Sequence, residues 1–364
     1  MFHRPDRVAE PLYVITPVFN PVRFRSRWKL YGEFAKRVVD AGAVLYTIEA
    51  AFGARTFALA DVAPQHTSAV ASHTPQNSAV MATDCRHDAA HRGRHQYLQV
   101  RTSHELWLKE AMINLAARHL PHDWKYVAWI DADVLFARPD WVGETLHRLQ
   151  HYPVVQMWSE LHDLNDTYQL VGSVRSFAAY WREHGRYTDS VEFKRDGLAA
   201  GYDYAGMPGK RRYPGAPGLA WAMRREAWDQ LGGLIDFCIL GSCDWFMAHC
   251  LTGQVDAVLK RGYHPRYAAR IREWQTRAAE ARWAERPIAG NIGVLDGVAL
   301  HFWHGPKANR LYGTRDQILI DHQFNPDRDL KPDYQGLFQL TNRSPELRRS
   351  LQWYFGQRNE DALS

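Results

Sequence analysis

The stretch KYVAWIDADVLF, residues 125–136, determines how the rest of this sequence is interpreted. An apolar run at 127–130 leads into two aspartates one residue apart, Asp131 and Asp133, and a second apolar run follows. Because an unpaired carboxylate is costly to bury, the pattern predicts a buried strand that leaves the core at the aspartates. The two acids therefore need a partner at the end of that strand.

A divalent cation is the partner that suits two such acids. Side chains alternate along a strand, so Asp131 and Asp133 would point to the same side if the strand continued through them. Two carboxylates at that spacing repel each other unless a cation neutralises them or one of them holds a proton. Mg²⁺ and Mn²⁺ favour oxygen ligands. The alternative is a solvated turn, which an Asp-x-Asp pattern alone does not exclude.

The segments around this stretch predict an α/β domain. Short β-rich runs at 12–16, ending at Pro17, and at 43–49 flank a helical segment at 27–41, which gives a βαβ opening. Residues 61–95 are polar without clear periodicity and predict a loop insertion. The other predicted elements are a strand at 95–102, a helix at 103–120 with Ser103 as N-cap, a helix opening at Pro139, a flexible loop at 206–218, an Arg-rich helix at 266–282 and a terminal helix from Ser344-Pro345 to Gly356.

The composition is that of an ordinary globular protein of 364 residues. Hydrophobic residues make up 46% and charged residues 23%, and no apolar run is long enough to span a bilayer. The first residues show no signal-peptide pattern, so we expect a cytoplasmic protein with no membrane partner. The net charge of +5 suits an anionic ligand. The cysteines lack metal-site or disulfide spacing and are expected to be free thiols: Cys85, Cys238, Cys243 and Cys250.

The aspartate stretch resembles the metal-binding motif of nucleotide-sugar glycosyltransferases with the GT-A fold. In that family the motif follows a strand and holds a metal ion on the diphosphate of the sugar nucleotide. HFWHGPK, residues 301–307, resembles a C-terminal motif of some members, in which a histidine completes the metal site and a lysine contacts the diphosphate. The glycine stands one place late, at Gly305, so His301 and His304 are both candidate ligands. The spacing to Lys307 favours His301.

A third segment, residues 218–247, resembles the acceptor side of inverting members of the family. A glycine-rich turn there precedes an acidic residue, and Asp244 takes that place. A carboxylate at this position would remove the proton of the acceptor hydroxyl. Cys243 stands where the family often has a second acid. The alternative for Asp244 is a helix N-cap.

The resemblance implies a Rossmann-like GT-A domain, with a mixed central sheet flanked by helices, over residues 1–310, and a helical C-terminal extension over 311–364 that packs on it. It also implies a metal-dependent glycosyltransferase that uses a nucleoside-diphosphate sugar, with UDP as the expected nucleotide and inversion as the expected outcome. Mn²⁺ or Mg²⁺ would be held by Asp131, Asp133 and His301. The expected donor-binding residues are Thr16, Pro17, Glu49, Lys109, Asn114, Asp131 and Lys307.

The sequence does not identify the acceptor. The chain also looks similar to glycosyltransferase-like proteins of bacteria and phages, which makes a hydroxymethylated pyrimidine in phage DNA one candidate, with a host-cytoplasmic location if the chain is viral. Lys210, Arg211, Arg212 and the helix at 266–282 would then contact phosphates. A glycan, lipid or protein acceptor is the competing possibility, and no protein partner is expected. A non-catalytic nucleic-acid or carbohydrate-binding protein and a nucleotidyltransferase are the alternatives to a glycosyltransferase.

Residues 154–165, VVQMWSELHDLN, are rich in polar groups after an apolar start. Their side chains could line the donor or acceptor pocket. Because no spacing assigns them a role, a surface loop is the favoured interpretation for this set: Trp158, Glu160, His162 and Asp163.

Overall fold

The computed structural model describes residues 10–59, 81–84, 93–185 and 215–364. Cys85 and the basic residues 210–212 lie outside these ranges, as does most of the loop predicted at 61–95. The predictions made for them are therefore not addressed by the structure.

Strands and helices alternate along the described chain. The strands are Leu12–Phe19 (β1), Val44–Phe52 (β2), Met81–Asp84 (β3), His95–Thr102 (β4), Tyr126–Ile130 (β5), Val134–Phe136 (β6), Val154–Gln156 (β7), Glu160–Leu164 (β8), Leu170–Arg175 (β9), Ala220–Arg224 (β10), Arg282–Trp283 (β11), Arg286–Pro287 (β12), Ile292–Val294 (β13), Val298–His301 (β14), Leu330–Pro332 (β15) and Phe338–Leu340 (β16). The α-helices are Arg25–Asp40 (α1), Lys109–Ala117 (α2), Trp141–Arg148 (α3), Phe177–His184 (α4), Arg225–Leu231 (α5), Cys243–Leu251 (α6), Pro265–Glu280 (α7), Gln317–Asp321 (α8), Pro326–Asp329 (α9) and Pro345–Gln357 (α10). Short 3₁₀ helices lie at Val255–Ala257 and Lys307–Arg310.

The central sheet is mixed and has the strand order β13-β7-β10-β5-β1-β2-β4-β3. Strands β5, β1, β2 and β4 run parallel to one another, whereas β10 and β3 run antiparallel to their neighbours. A second, smaller sheet has the order β6-β14-β8-β9. The carboxyl ends of the parallel strands form the edge at which open α/β sheets bind ligands.

Both faces of the central sheet are buried, as expected for strands that are apolar on both sides. Along β1, Tyr13 and Ile15 join one hydrophobic core, while Leu12 and Val14 join the other. Helices α2, α7 and α10 contribute to the first core, and α1 and α3 contribute to the second. The predicted fold class, an α/β domain with a mixed central sheet flanked by helices, is confirmed.

Several predicted boundaries were wrong for identifiable reasons. β1 continues through Pro17 to Phe19, because β1 pairs with β5 only as far as Ile15 and a strand with one paired neighbour tolerates proline. The helix predicted from Ser103 begins at Lys109. Tertiary contacts hold residues 103–108 in an irregular conformation. For example, the Trp107 backbone N–H donates to the carbonyl of Ile239 (2.9 Å).

Two further differences concern a loop and a helix end. Residues 81–84, inside the predicted loop 61–95, form β3 and pair antiparallel with β4, so the loop prediction was wrong there. The terminal helix begins as predicted at Ser344, whose hydroxyl accepts from the Leu347 N–H (3.3 Å). It continues past Gly356 to Gln357.

Candidate active site

Strand pairing in the small sheet assembles the site from three distant parts of the chain. The chain leaves the central sheet after Ile130, turns through residues 131–133 and enters β6. In β14, His301 pairs with Val134 on one side and with Asp163 of β8 on the other. The Phe302 N–H donates to the carbonyl of Asp133 (2.9 Å). This register places Asp133, His301 and Asp163 side by side.

The three side chains that could share a metal ion are Asp133, His301 and His304. One ligand atom from each lies within 4.8 Å of the other two, and all three residues are buried. Oδ2 of Asp133 lies 2.8 Å from Nε2 of His304 and 3.9 Å from Nε2 of His301. The two Nε2 atoms are 3.2 Å apart. Both histidines, and not His301 alone, therefore face Asp133.

The bonding around His304 indicates that a cation belongs between these groups. Its Nε2 lies 2.8 Å from a carboxylate oxygen of Asp133 and 2.9 Å from Nη2 of Arg310. The carboxylate needs a proton on that nitrogen and the guanidinium needs a lone pair, so one nitrogen cannot satisfy both. In addition, Oδ1 of Asp133 is buried without a hydrogen-bond partner among the described residues. A divalent ion would complete both groups, so the residues present fit a metal.

Burial and the nearby charges favour the metal-binding forms of Asp133 and His304. Burial alone would raise the pKa of Asp133, but His304, His301 and Arg27 hold it well below its usual value. Burial and then Arg310 lower the pKa of His304, which favours the neutral imidazole. Ionised carboxylate and neutral imidazole are the forms that bind metal.

Asp163 and Lys307 form a second charged pair beside the histidines. Oδ1 of Asp163 lies 2.7 Å from Nδ1 of His301, and its Oδ2 accepts from the ammonium of Lys307. Burial opposes ionisation of Asp163, yet His301 and Lys307 lower its pKa overall. A carboxylate on Nδ1 fixes the imidazole with Nε2 turned toward Asp133. Lys307 thus lies near the cluster, and its contact with a diphosphate stays a prediction.

Asp131 faces a different partner from Asp133. Its Oδ1 lies 2.5 Å from Nζ of Lys109, a buried lysine in the first turn of α2. Burial raises the pKa of Asp131, and Lys109 opposes that rise. The strand does not continue through the two aspartates, because residues 131–133 form a turn, so the condition under which they would share one side is not met. Asp131 is outside the group of three potential ligands, and its direct role at the metal stays a prediction.

Asp244 lies in the first turn of α6, two residues after the N-cap Ser242. It is not the N-cap, so that alternative was wrong. It is half-buried, and its Oδ1 accepts from the Trp245 N–H (2.8 Å). Burial lowers the pKa of Lys109, whereas Asp131 raises it. Asp244 lies close enough to Lys109 to add a smaller rise. The predicted base and the aspartate turn thus share a neighbour.

Glu110 is a buried carboxyl beside this base, one turn before Asn114 on α2. The Trp107 indole N–H donates to its Oε2 (3.2 Å), and it contacts the thiol of Cys243. Burial raises the pKa of Glu110 to about 7, and Asp244 adds to that rise.

The described cysteines are buried free thiols, as predicted: Cys238, Cys243 and Cys250.

The other predicted donor-binding residues have structural partners. The hydroxyl of Thr16 donates to the carbonyl of Ile130 (2.9 Å), directly before the aspartate turn, and Pro17 is half-buried next to it. Glu49 is buried and accepts from the N–H groups of residues 58 and 59. The side chain of Asn114 bonds Leu234 and Asp236, which ties α2 to the loop after α5. A donor role for these residues stays a prediction.

The surface-loop interpretation of residues 154–165 was wrong. Trp158 is fully buried, and β8 carries Leu161 and Asp163 on its buried side. The alternation of ELHDL, with an acid at a core-facing position, is the sequence signal that predicts a buried Asp163. Three further charged residues at the cluster belong to none of the motifs, namely Arg27, Arg310 and Glu360, and of these Arg27 and Glu360 are distant in sequence.

Among the described residues, no helix is both long and apolar enough to cross a membrane. No protein-family model matches the chain, and no curated protein matches it.

Solved structures to which the chain is similar have low identity and low TM-scores. A provisionally assigned nucleotide-diphospho-sugar transferase of Desulfovibrio desulfuricans G20 is 10% identical, with a TM-score of 0.33 over 86% of this chain and 98% of that one. The catalytic domain of Drosophila β1,4-galactosyltransferase 7 with xylobiose is 10% identical, with a TM-score of 0.32 over 95% and 98%. A point mutant of that enzyme with manganese, UDP-Gal and xylobiose is 11% identical, with a TM-score of 0.33 over 95% and 98%.

Proposed function

We propose that this chain is a metal-dependent glycosyltransferase of the GT-A type, which moves a sugar from a nucleoside-diphosphate sugar, with UDP as the expected nucleotide, to a hydroxyl acceptor. The observation that carries the proposal is the convergence of Asp133, His301 and His304 just beyond the carboxyl end of β5. Lys307 and Arg310 lie beside them. Metal ligands with adjacent cations suit a diphosphate.

The ligand set favours Mn²⁺ over Mg²⁺. Two imidazole nitrogens and one carboxylate converge, whereas Mg²⁺ prefers oxygen ligands and retains water. When bound, the ion would act as a Lewis acid on the diphosphate and stabilise the charge of the leaving group. Lys307 would add a positive charge there. Lys109 would hold Asp131 at the entrance of the aspartate turn, with Thr16, Pro17 and Glu49 toward the nucleoside.

Asp244 is the proposed base of an inverting transfer. Its carboxylate would take the proton of the acceptor hydroxyl while that oxygen bonds to the anomeric carbon. The bond from the same carbon to the diphosphate oxygen would break, and the electron pair would leave with the nucleoside diphosphate. The half-buried position of Asp244 and its proximity to Lys109 support this role.

For the acceptor, the ion pairing of α7 favours a glycan, lipid or protein hydroxyl over a hydroxymethylated pyrimidine in DNA. Arg266 and Arg270 both contact Asp327, and Arg272 contacts Asp256 (2.7 Å). Arg277 donates to the carbonyl of Leu231 (2.8 Å). Arginines that already have acidic partners gain less from phosphates, so the helix offers little of the charge that DNA binding requires.

A thermal-shift panel tests the proposal. The chain is melted with UDP-glucose, UDP-galactose, UDP-N-acetylglucosamine and GDP-mannose, each with and without Mn²⁺. A donor should raise the melting temperature only when Mn²⁺ is present, since a ligand that binds the folded state stabilises it. Asp133→Asn should lose that shift, whereas the matched control Asp140→Asn, an exposed aspartate paired with Arg138, should keep it.

The outcome that contradicts the proposal is equally concrete. If no nucleotide sugar shifts the melting temperature with Mn²⁺, or if Asp133→Asn responds as the unmodified chain does, the metal-dependent donor site is wrong. If donors bind but Asp244→Asn transfers or hydrolyses sugar at the normal rate, the assignment of the base is wrong.

A further inference from the structure

The last residues of the chain run across the candidate metal site. Residues 358–362, here called the C-terminal strap, form hydrogen bonds with other elements through two residues besides Glu360. Asp361 accepts from the backbone N–H groups of Arg25 (2.9 Å) and Ser26 (2.8 Å) at the start of α1. The carbonyl of Ala362 accepts from the indole N–H of Trp303 (2.7 Å). The strap therefore joins α1 to the segment that carries both histidines.

Contact between the strap and the histidine segment is tight enough to require a glycine. A Cβ at Gly305 would lie 2.7 Å from the carbonyl oxygen of Asn359 and 2.7 Å from Cα of Glu360. Gly305 also has a φ of +87°, which side chains rarely adopt. The backbone directly after His304 is thus pressed against the strap, so a shift of the strap would move this metal ligand.

Glu360 is the residue through which the strap reaches the ligands. Its side chain is 2% exposed, and its Oε1 accepts from Arg358 (2.6 Å) and Arg27 (2.8 Å). Its Oε2 contacts Arg27 and lies 3.6 Å from Nδ1 of His304. Glu360 thus lies on the Nδ1 side of His304, as Asp163 does for His301, but at ion-pair distance, whereas the Asp163 contact is 2.7 Å, and Nη2 of Arg310 lies 3.4 Å from the same Nδ1. Each histidine thus has a carboxylate behind it and presents Nε2 to Asp133.

Capping of helix α1 does not explain why the carboxylate of Glu360 is buried. A buried carboxylate carries a large desolvation cost, which here is offset by two arginines. The capping of α1 is already provided by Asp361, which is exposed. A carboxylate at Nδ1 of a metal-binding histidine fixes the orientation of the ring and strengthens the ligand. The same carboxylate counters the positive charge of Arg310, which lies 2.9 Å from Nε2 of His304.

We infer that Glu360 is a positioning residue of the metal site, which holds His304 with Nε2 directed at Asp133, so that the C-terminal strap is part of the site. The inference rests on the metal site of the proposed function, and it adds a requirement that the motifs do not contain. It concerns metal affinity and not the sugar chemistry.

Mn²⁺ binding to the full chain without any nucleotide sugar tests the inference. Free Mn²⁺ is measured by electron paramagnetic resonance in titrations of the unmodified chain, Glu360→Gln and Asp361→Ala. Glu360→Gln should weaken Mn²⁺ binding about 10- to 100-fold, the usual effect of removing a carboxylate behind a histidine ligand. Asp361→Ala removes only an exposed contact to α1, because the bond from Trp303 to Ala362 and the arginines on Glu360 still hold the strap in place, so its Mn²⁺ affinity should stay within about threefold.

A Co²⁺ titration separates positioning from mere structural support. The visible absorption of bound Co²⁺ reports ligand geometry, so it should change in Glu360→Gln and remain unchanged in Asp361→Ala. If Glu360→Gln does not fold, Glu360→Asp, which keeps the charge for the two arginines, should fold and bind Mn²⁺ more weakly. Unchanged Mn²⁺ affinity and Co²⁺ spectrum in the variants that fold would overturn the inference.

The Mn²⁺ and donor-binding measurements together distinguish failure of this inference from failure of the proposed function. If no nucleotide sugar binds but Mn²⁺ affinity depends on Glu360, the inference holds and the transferase proposal fails. If donors bind with Mn²⁺ and the Glu360 variants bind Mn²⁺ normally, the transferase proposal stands and the strap serves stability alone.

Discussion

At the scale of single residues, Arg310 and the proposed metal ion require the same nitrogen atom of His304. Nη2 of Arg310 lies 2.9 Å from Nε2 of His304, which is also the atom that faces Asp133. Nε of Arg310 is buried without a partner among the described residues, although its Nη1 donates to the hydroxyl of Tyr312 (3.2 Å). Within the part of the chain that the structure describes, the Arg310 guanidinium therefore lacks a hydrogen-bond acceptor for its Nε–H group. A diphosphate would give it the acceptors that it lacks.

Replacing Arg310 by glutamine should tighten Mn²⁺ binding in the absence of a donor. Unit charges 4 Å apart repel by about 1 kcal/mol in water and by about 4 kcal/mol at an effective dielectric constant of 20. Because about 1.4 kcal/mol is tenfold in affinity, we expect at least tenfold tighter Mn²⁺ binding, measured by calorimetry. The control Arg349→Gln removes an exposed arginine that pairs with Glu346 and should change nothing. Weaker Mn²⁺ binding by Arg310→Gln would mean that the arginine supports the site instead of competing with the ion.

Glu110 should make the protein less stable as the pH rises from about 4.5 to about 7. Burial raises its pKa from 4.5 to about 7 in the folded chain, so the folded state keeps a proton that the unfolded state has lost in this interval. The carboxyls with lowered pKa values, such as Asp133 and Asp163, lose their stabilising effect only at lower pH. Glu110→Gln should therefore gain stability over the unmodified chain toward neutral pH, by on the order of 3 kcal/mol.

Urea unfolding at several pH values between 4 and 8 measures this effect. Glutamine can still accept from the Trp107 indole N–H, so packing is conserved in the variant. Glu346→Gln, an exposed change on α10, serves as the control. A difference between Glu110→Gln and the unmodified chain that does not vary with pH would show that the pKa of Glu110 is the same in the folded and unfolded states.

At the scale of elements, the approach of β10 to α6 places the proposed base. Gly218 precedes β10, and a Cβ at this position would lie 2.8 Å from Oδ2 of Asp244. Gly218→Ala should therefore displace the carboxylate without removing it. Because misplacing a catalytic group by about 1 Å can reduce a rate 100-fold, we expect a 10- to 100-fold loss of sugar transfer. The Mn²⁺-dependent donor shift should remain.

Gly143→Ala is the matched control for that change. Gly143 lies inside α3 with open space around its Cβ position, so alanine should leave transfer unchanged and stabilise the helix by roughly 0.5–1 kcal/mol. The measurement is the initial rate of sugar release from the donor at saturating Mn²⁺. Transfer at the normal rate by Gly218→Ala would argue against Asp244 as the base.

Sequence periodicity predicted the elements of the central sheet better than those of the small sheet. The long apolar runs of β1, β2 and β5 indicate strands without tertiary information, as does the buried face of α7. β6 and β14 have three and four residues, so they are too short to show a period. They form because each pairs with a distant neighbour, and this pairing is what unites Asp133 with His301.

At the scale of the whole molecule, the site depends on contacts between distant parts of the chain. The motifs predicted Asp133, Lys307 and the pair of candidate histidines, because these residue types follow strand ends at informative spacings. They could not predict Glu360, which meets His304 only because the chain folds back over α1. Nor could they assign both histidines to one cluster, since that follows from the register of β14 and the turn after it.

The C-terminal extension, residues 311–364, should unfold together with the rest of the chain. On α10, the side chains that join the principal core are Leu347, Leu351, Tyr354 and Phe355. Burying each is worth about 1.5–3 kcal/mol, so their sum is comparable with the total stability of a typical domain, about 5–15 kcal/mol. We expect one calorimetric transition for the full chain and loss of native structure on truncation after Ser344. Removing only Leu363 and Ser364 is the control, since Leu363 is 79% exposed. Two separate transitions, or a truncated chain that melts at the normal temperature, would show that the extension folds independently of residues 1–310.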